Sequence, residues 1–146
     1  MAKQLVVDAN VIAKLYLQDE QYTDKANLLF SRFQEGSIRL LAPRLIIYEV
    51  PAAIKSSTFR MKTDDAISSC KQAIASFESL GLYIVDDTNA KNEAVRLAIS
   101  YACTYYDALY LLLAEDLGCP FITADDKLWK QMRTKVDYVT QLASYQ

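Results

Sequence analysis

The chain has only three glycines, Gly36, Gly81 and Gly118, and each stands where a helical pattern stops and a short apolar run begins. A glycine just past a helix end, followed by a strand, is the αβ half of a βαβ unit. The runs that follow are Ile38 to Ala42, Leu82 to Val85 and Phe121 to Thr123, and Leu5 to Asp8 supplies an earlier one. They are bounded and apolar without alternation, the pattern of strands buried on both faces of a parallel sheet. A weak fifth strand is expected to include Val136 to Val139.

Helical periods lie between these runs. Ala26, Leu29, Phe30 and Phe33 form one apolar stripe, Ile67, Cys70, Ile74 and Phe77 a second, and Ala94, Leu97, Ala98 and Tyr101 a third, each suited to one face of the sheet. Pro43 fits the first turn of a helix running to about Arg60, with Pro51 inside it as an expected kink. The fold class is therefore α/β.

At 146 residues, with 52% apolar and 23% charged residues and no repeat or low-complexity spacer, the chain is expected to form a single domain over 1–146. No apolar run approaches the ~20 residues that span a bilayer. Met1-Ala2-Lys3-Gln4 leads into a strand without the apolar stretch of a signal peptide, so no membrane partner and a cytoplasmic location are expected. Cys70, Cys103 and Cys119 show no C-x-x-C spacing and read as reduced packing residues.

The formal charge of −2 is not that of a general nucleic-acid coat protein, although Lys127, Lys130 and Arg133 form a local basic cluster that fits either a solvated helix face or a guide for phosphates. Histidine is absent altogether. That removes histidine acid/base chemistry and histidine-ligated zinc, and leaves carboxylates as the metal ligands to consider.

Four acids then stand out. Ligand sites of α/β sheets form beyond the carboxyl ends of the strands. Asp8 ends the first strand, Glu49 is early in the helix after the second, and Asp125 follows the fourth. Asp107 starts the helix that precedes the fourth strand; that helix runs antiparallel to the strand, so its start lies at the same edge. Gathered there, four carboxylates repel one another, and Mg²⁺ or Mn²⁺, which prefer oxygen ligands, best stabilise them together.

Each acid also has an ordinary structural reading. Asp8 suits a strand-to-helix turn or N-cap, and Asn10 is a second candidate cap or a support for a metal-bound water. Glu49 sits among Leu45, Ile46, Ile47 and Val50 and needs a partner or a metal; Arg44 is a candidate salt-bridge partner. Thr104-Tyr105-Tyr106-Asp107 has the form of a capping box. Asp125 and Asp126 are adjacent at a helix start, with Thr123 placing a hydroxyl nearby; we favour Asp125, and Asp126 suits a helix-start charge. Asp86 and Asp87 compete as edge carboxylates, but Thr88 makes a turn and helix cap there the better fit.

Three segments carry a family resemblance: Leu5-Val6-Val7-Asp8-Ala9-Asn10, Thr104 to Glu115 (TYYDALYLLLAE), and Phe121-Ile122-Thr123-Ala124-Asp125. Together they resemble the PIN-domain family, in particular its VapC-type toxin ribonucleases, over essentially the whole chain. The resemblance implies a three-layer α/β/α sandwich whose five-stranded parallel sheet has the order 3-2-1-4-5. It also implies a homodimer, metal-dependent cleavage of RNA, and a cognate antitoxin whose carboxyl-terminal segment covers the site. By position, the catalytic and metal-binding quartet would be Asp8, Glu49, Asp107 and Asp125, with Asn10 and Thr123 as polar support; from the residues themselves, Asp126 is a further candidate for polar support and Lys14 for a cation that offsets charge developing on phosphorus. One departure is visible: the family often has Asn or Ser three residues after its glutamate, where this chain has Ala52 after Pro51.

Rival readings are distinguishable at the same residues. A phosphoacceptor receiver domain needs paired acids after its first strand, and a haloacid-type hydrolase a D-x-D start, whereas Asp8 is followed by Ala9 and Asn10. A non-catalytic PIN module that binds RNA or protein stays open as the alternative. Tyr101, Tyr105, Tyr106 and Tyr110 suit a dimer face or the core equally.

Overall fold

The computed structural model describes residues 1–17 and 21–146. The chain runs β1 (Lys3–Val7), α1 (Ala9–Ala13), α2 (Thr23–Gln34), β2 (Ile38–Pro43), α3 (Ile46–Ser56), α4 (Thr63–Glu78), β3 (Tyr83–Val85), α5 (Lys91–Tyr101), α6 (Tyr105–Leu117), β4 (Phe121–Thr123), α7 (Asp126–Met132) and β5 (Val139–Gln141). The strands form one sheet in the order β3-β2-β1-β4-β5, and every pairing is parallel. Leu5, Val6 and Val7 are buried in succession, so both faces of the central strand are covered by helices. The result is an α/β/α sandwich.

Helix α6 is the most deeply set element. Its residues Ala108 to Ala114 are all buried, which a helix apolar on every side requires. It ends at Gly118, whose φ of +60° lets its amide turn back onto the last helical carbonyls. Gly36 and Gly81 likewise have positive φ ahead of β2 and β3.

Four local expectations are corrected. Pro43 closes β2 instead of opening a helix: it pairs in register with Val85, and the Arg44 amide takes the Val85 carbonyl at 3.0 Å, so the missing proline N–H leaves nothing unpaired. Helix α3 continues through Pro51 but stops at Ser56, short of Arg60. There the hydroxyls of Ser56, Ser57 and Thr58 donate to the carbonyls of Ala52, Ile54 and Lys55 and compete with further helix. The stripe on α4 is buried only at Phe77, while Ile67 is 50% exposed, because α4 packs mainly on α3 at the sheet's margin. Finally, β5 begins at Val139, since Val136 is drawn into the turn after α7, where its amide donates to the Met132 carbonyl at 3.0 Å. Among the described residues, no single helix is long and apolar enough to cross a membrane.

Candidate active site

Successive strands step from β1 to β2 to β3 on one side, and the chain then crosses to place β4 on the other side of β1. Such a reversal opens a crevice at the carboxyl ends of the two central strands. Val7 pairs with Ile122 there, so the next residue of each strand, Asp8 and Thr123, face one another.

Asp8 is the N-cap of α1, its Oδ1 accepting the Val11 amide at 2.9 Å. Its Oδ2 accepts the hydroxyl of Thr123, a residue with no exposed surface. The same Thr123 oxygen accepts the Asp125 amide at 3.0 Å, so one hydroxyl ties Asp8 to the start of α7. Burial pushes the Asp8 carboxyl up to about 6, against the hydrogen bonds from Thr123, Val11 and Ala124, and the neighbouring Asp125 charge adds to the rise.

Asp125 caps α7 by accepting the Leu128 amide at 3.1 Å. Its neighbour Asp126 turns to other partners, accepting from the Tyr22 hydroxyl at 2.9 Å and the Gln141 amide at 2.6 Å. Those two bonds, with Lys130 and Lys14 beside it, hold its carboxyl below the usual range. Lys14 leans over the Tyr22 ring, 5.9 Å from its centroid.

Glu49 reaches the crevice from α3, and its partner is the hydroxyl of Tyr110, which donates to Oε1 at 2.7 Å. Tyr110 is buried and stacks on Phe121, with centroids 5.7 Å apart and planes 9° from parallel. Its phenol lies far above its ordinary range because of burial and the charges of Glu49, Asp8 and Asp107, so it is held as a donor. Burial, and then the Asp107 charge, raise Glu49 against that bond. Asp107 sits in the first turn of α6, where the Thr104 hydroxyl accepts its amide at 3.0 Å. Burial raises the Asp107 carboxyl too, and the Asp125 charge adds to it.

The acids thus form one electrostatic series, from Glu49 through Asp107 and Asp125 to Asp8. They do not form a tight cage: among the described residues no three acidic or cysteine side chains converge on one point. Like charges in a partly dry crevice repel, and hydrogen bonds to Thr123, Val11, Tyr110 and Leu128 hold three of them to separate donors. As a donor set, carboxylates and a hydroxyl without histidine suit a hard divalent cation and not zinc.

For two residues named in the sequence, Tyr110 as a core or dimer-face tyrosine and Asp87 as a competing edge carboxylate, the partner each one holds was not foreseen. Tyr110 follows Asp107 by three residues, and that helical spacing toward one face was the available signal. Asp87 accepts the Leu45 amide at 3.1 Å and so anchors the start of α3 from the far side of β3, a contact with no local signature. Asp86 makes the expected turn with Thr88, but the expected helix cap is absent there, because α5 starts after Ala90 without a side-chain cap. Asn10 is exposed on the first turn of α1, and Lys127, Lys130 and Arg133 are exposed on or just after α7. Tyr106 is exposed, whereas Tyr101 and Tyr105 are partly covered.

A parallel α/β/α sheet with carboxylates from four segments at its switch point defines a class of α/β protein with an acidic crevice. The family model described as PIN domain matches residues 5–134, and the chain belongs to the PIN-domain family. It is 31% identical over 127 residues to Ribonuclease VapC3 of Pyrobaculum aerophilum, an alignment covering 86% of this chain and 92% of that protein. The crystal structure of PAE2754 from the same organism shares the fold with a TM-score of 0.64 at 21% identity, covering 99% of this chain and 94% of that one.

Proposed function

We propose that the chain is a divalent-metal-dependent endoribonuclease, the toxin of a type II toxin–antitoxin pair. The observation that carries this reading is the acidic crevice at the switch point, where Thr123 and Val11 fix Asp8, Tyr110 fixes Glu49 and Leu128 fixes Asp125 by hydrogen bonds, with Asp107 in the first turn of α6. Its likeness to a protein named Ribonuclease VapC3 supports RNA as the substrate class.

In this reading Asp8, Glu49, Asp107 and Asp125 hold Mg²⁺ or Mn²⁺, and the bound ion supplies Lewis-acid chemistry for phosphodiester hydrolysis. The chain's own part is orientation. Thr123 and the Val11 amide fix Asp8, Tyr110 fixes Glu49 through one oxygen, and Thr104 fixes the helix start that carries Asp107. No histidine is available to move a proton. A homodimer in the cytoplasm, with a cognate antitoxin covering the crevice, completes the proposal.

The test is cleavage of total RNA by purified protein with and without Mg²⁺ or Mn²⁺. Asp8→Asn and Asp107→Asn are expected to abolish cleavage while the protein stays folded, and undiminished cleavage by Asp8→Asn would overturn the assignment. Expression is expected to arrest growth unless the antitoxin is supplied. The separation of the carboxylates favours a second reading, a non-catalytic module on the same fold that binds RNA or protein. Absence of cleavage with intact RNA binding would select it.

A further inference from the structure

From the structure we infer a nucleoside-binding subsite beside the acidic crevice, in which an unpaired RNA base stacks on Phe59. The inference rests on the ribonuclease reading and adds to it a place for the substrate.

A cleft of about 470 Å³ opens between α1 and the end of α3, and its lining includes Asn10, Lys14, Ser56, Ser57, Phe59 and Ala124. It is continuous with the crevice: Ala124 lies between Thr123 and Asp125, and its backbone hydrogen-bonds Asp8. Phe59 is 78% exposed on the turn joining α3 to α4, a position that buries none of the core. An exposed aromatic ring beside a cleft of mixed polar and apolar lining can serve as a stacking platform for a base.

The rest of the lining fits a nucleoside. Ser56 and Ser57 donate their hydroxyl protons to Ala52 and Ile54 carbonyls, so their oxygens present acceptor lone pairs to the cleft. An exocyclic amine or a ribose 2′-hydroxyl can donate to them, and the latter tells RNA from DNA. Charge points the same way. Between Val50 and Thr63 the chain carries Lys55, Arg60 and Lys62 and no acid, although its net charge is −2. All three cations are exposed, and the Arg60 guanidinium lies over one face of the Phe59 ring, 5.0 Å from its centroid, so the base stacks on the opposite face. A base on the ring therefore brings a flanking phosphate to local cations.

The experiment compares wild-type protein, Phe59→Ala and Phe59→Tyr. Cleavage of an unstructured RNA gives kcat and KM, and Asp8→Asn versions of each give binding to a short oligouridine and to an abasic oligomer of the same length. Phe59→Ala is expected to raise KM and weaken oligouridine binding by about tenfold, with kcat within about twofold. Binding of the abasic oligomer is expected to be unchanged, and Phe59→Tyr is expected to restore oligouridine binding. Equal oligouridine binding by wild type and Phe59→Ala, in a wild type that does cleave RNA, overturns the subsite alone. A wild type that neither cleaves nor binds RNA overturns the ribonuclease reading and the subsite together. A Phe59→Ala protein whose mass by light scattering halves while its RNA affinity holds assigns the ring to a contact between copies instead, and also overturns the subsite.

Discussion

Thr123 and Asp8 stand side by side at the ends of β4 and β1, and the threonine hydroxyl donates to the carboxylate while accepting the amide of Asp125. One side chain with no solvent exposure thereby joins two of the four acids. Replacing it by valine keeps the shape and removes both bonds. Thr123→Val is expected to cost about 1–3 kcal/mol, because a buried acceptor and a part-buried amide lose their partner. Urea denaturation measures the loss, and Thr123→Ser is expected to recover most of it.

The pH dependence of stability follows from Asp8. Its folded pKa of about 6 lies above the ordinary 3.8, so its contribution is fully present below the ordinary value and is lost as pH rises through 6. The loss is up to about 3 kcal/mol, and Glu49 and Asp107 shift in the same direction. Asp86 and Asp126 shift downward and act oppositely at the acid end, but they are well solvated and weigh less. In EDTA, the protein is expected to melt higher near pH 5 than near pH 7.5, and saturating Mn²⁺ near pH 7.5 to reverse the deficit by about 3 kcal/mol at a hundredfold excess over Kd. A melting temperature that ignores both pH and Mn²⁺ would contradict the coupled site.

Tyr110→Phe tests the orientation of Glu49. The ring stays stacked on Phe121 while the 2.7 Å bond to Oε1 is lost. Removing a hydrogen bond to a carboxylate is expected to cost about 1.5–3 kcal/mol of stability. Mn²⁺ affinity is expected to fall roughly 10–100-fold, as it does when a residue that orients a ligand is removed. Calorimetric titration with Mn²⁺ reads the second effect independently of cleavage.

Asp125 and Asp126 are expected to behave oppositely despite their adjacency. Asp125→Asn should reduce cleavage by about a hundredfold or more, at least the loss seen when a residue supporting a ligand is removed. Asp126→Ala gives up the bonds from Tyr22 and Gln141, so a cost of about 1 kcal/mol in stability is expected, with cleavage preserved. Rate and melting measurements on the two proteins separate the roles; equal loss of cleavage in both would refute the division.

Much of the architecture was legible in the chain because parallel strands leave a local mark. Apolar runs without alternation, three of them following a helix-ending glycine, gave the sheet, although β3 at its edge leaves Tyr83 and Ile84 exposed instead of buried on both faces, and helical spacing gave the α2 and α5 stripes. The α4 stripe misled, since amphipathic spacing does not say whether a helix lies over a sheet or at its margin. Pro43 misled for a related reason: a proline suits a helix start or a strand end equally, and only the Val85 carbonyl meeting the Arg44 amide decided between them.

By itself, then, the sequence determined the α/β class, the sheet edge at which Asp8, Glu49, Asp107 and Asp125 lie, and a set of oxygen donors without histidine. Those properties follow from short-range periodicity and residue type. Which way each carboxylate turns was decided only by tertiary structure: Asp8 toward Thr123, Glu49 toward Tyr110, and Asp126 away toward Tyr22 and Gln141. Those partners lie 115, 61, 104 and 15 residues away along the chain. A hydrogen bond of that span leaves no trace in local pattern, because it exists only once the sheet has closed.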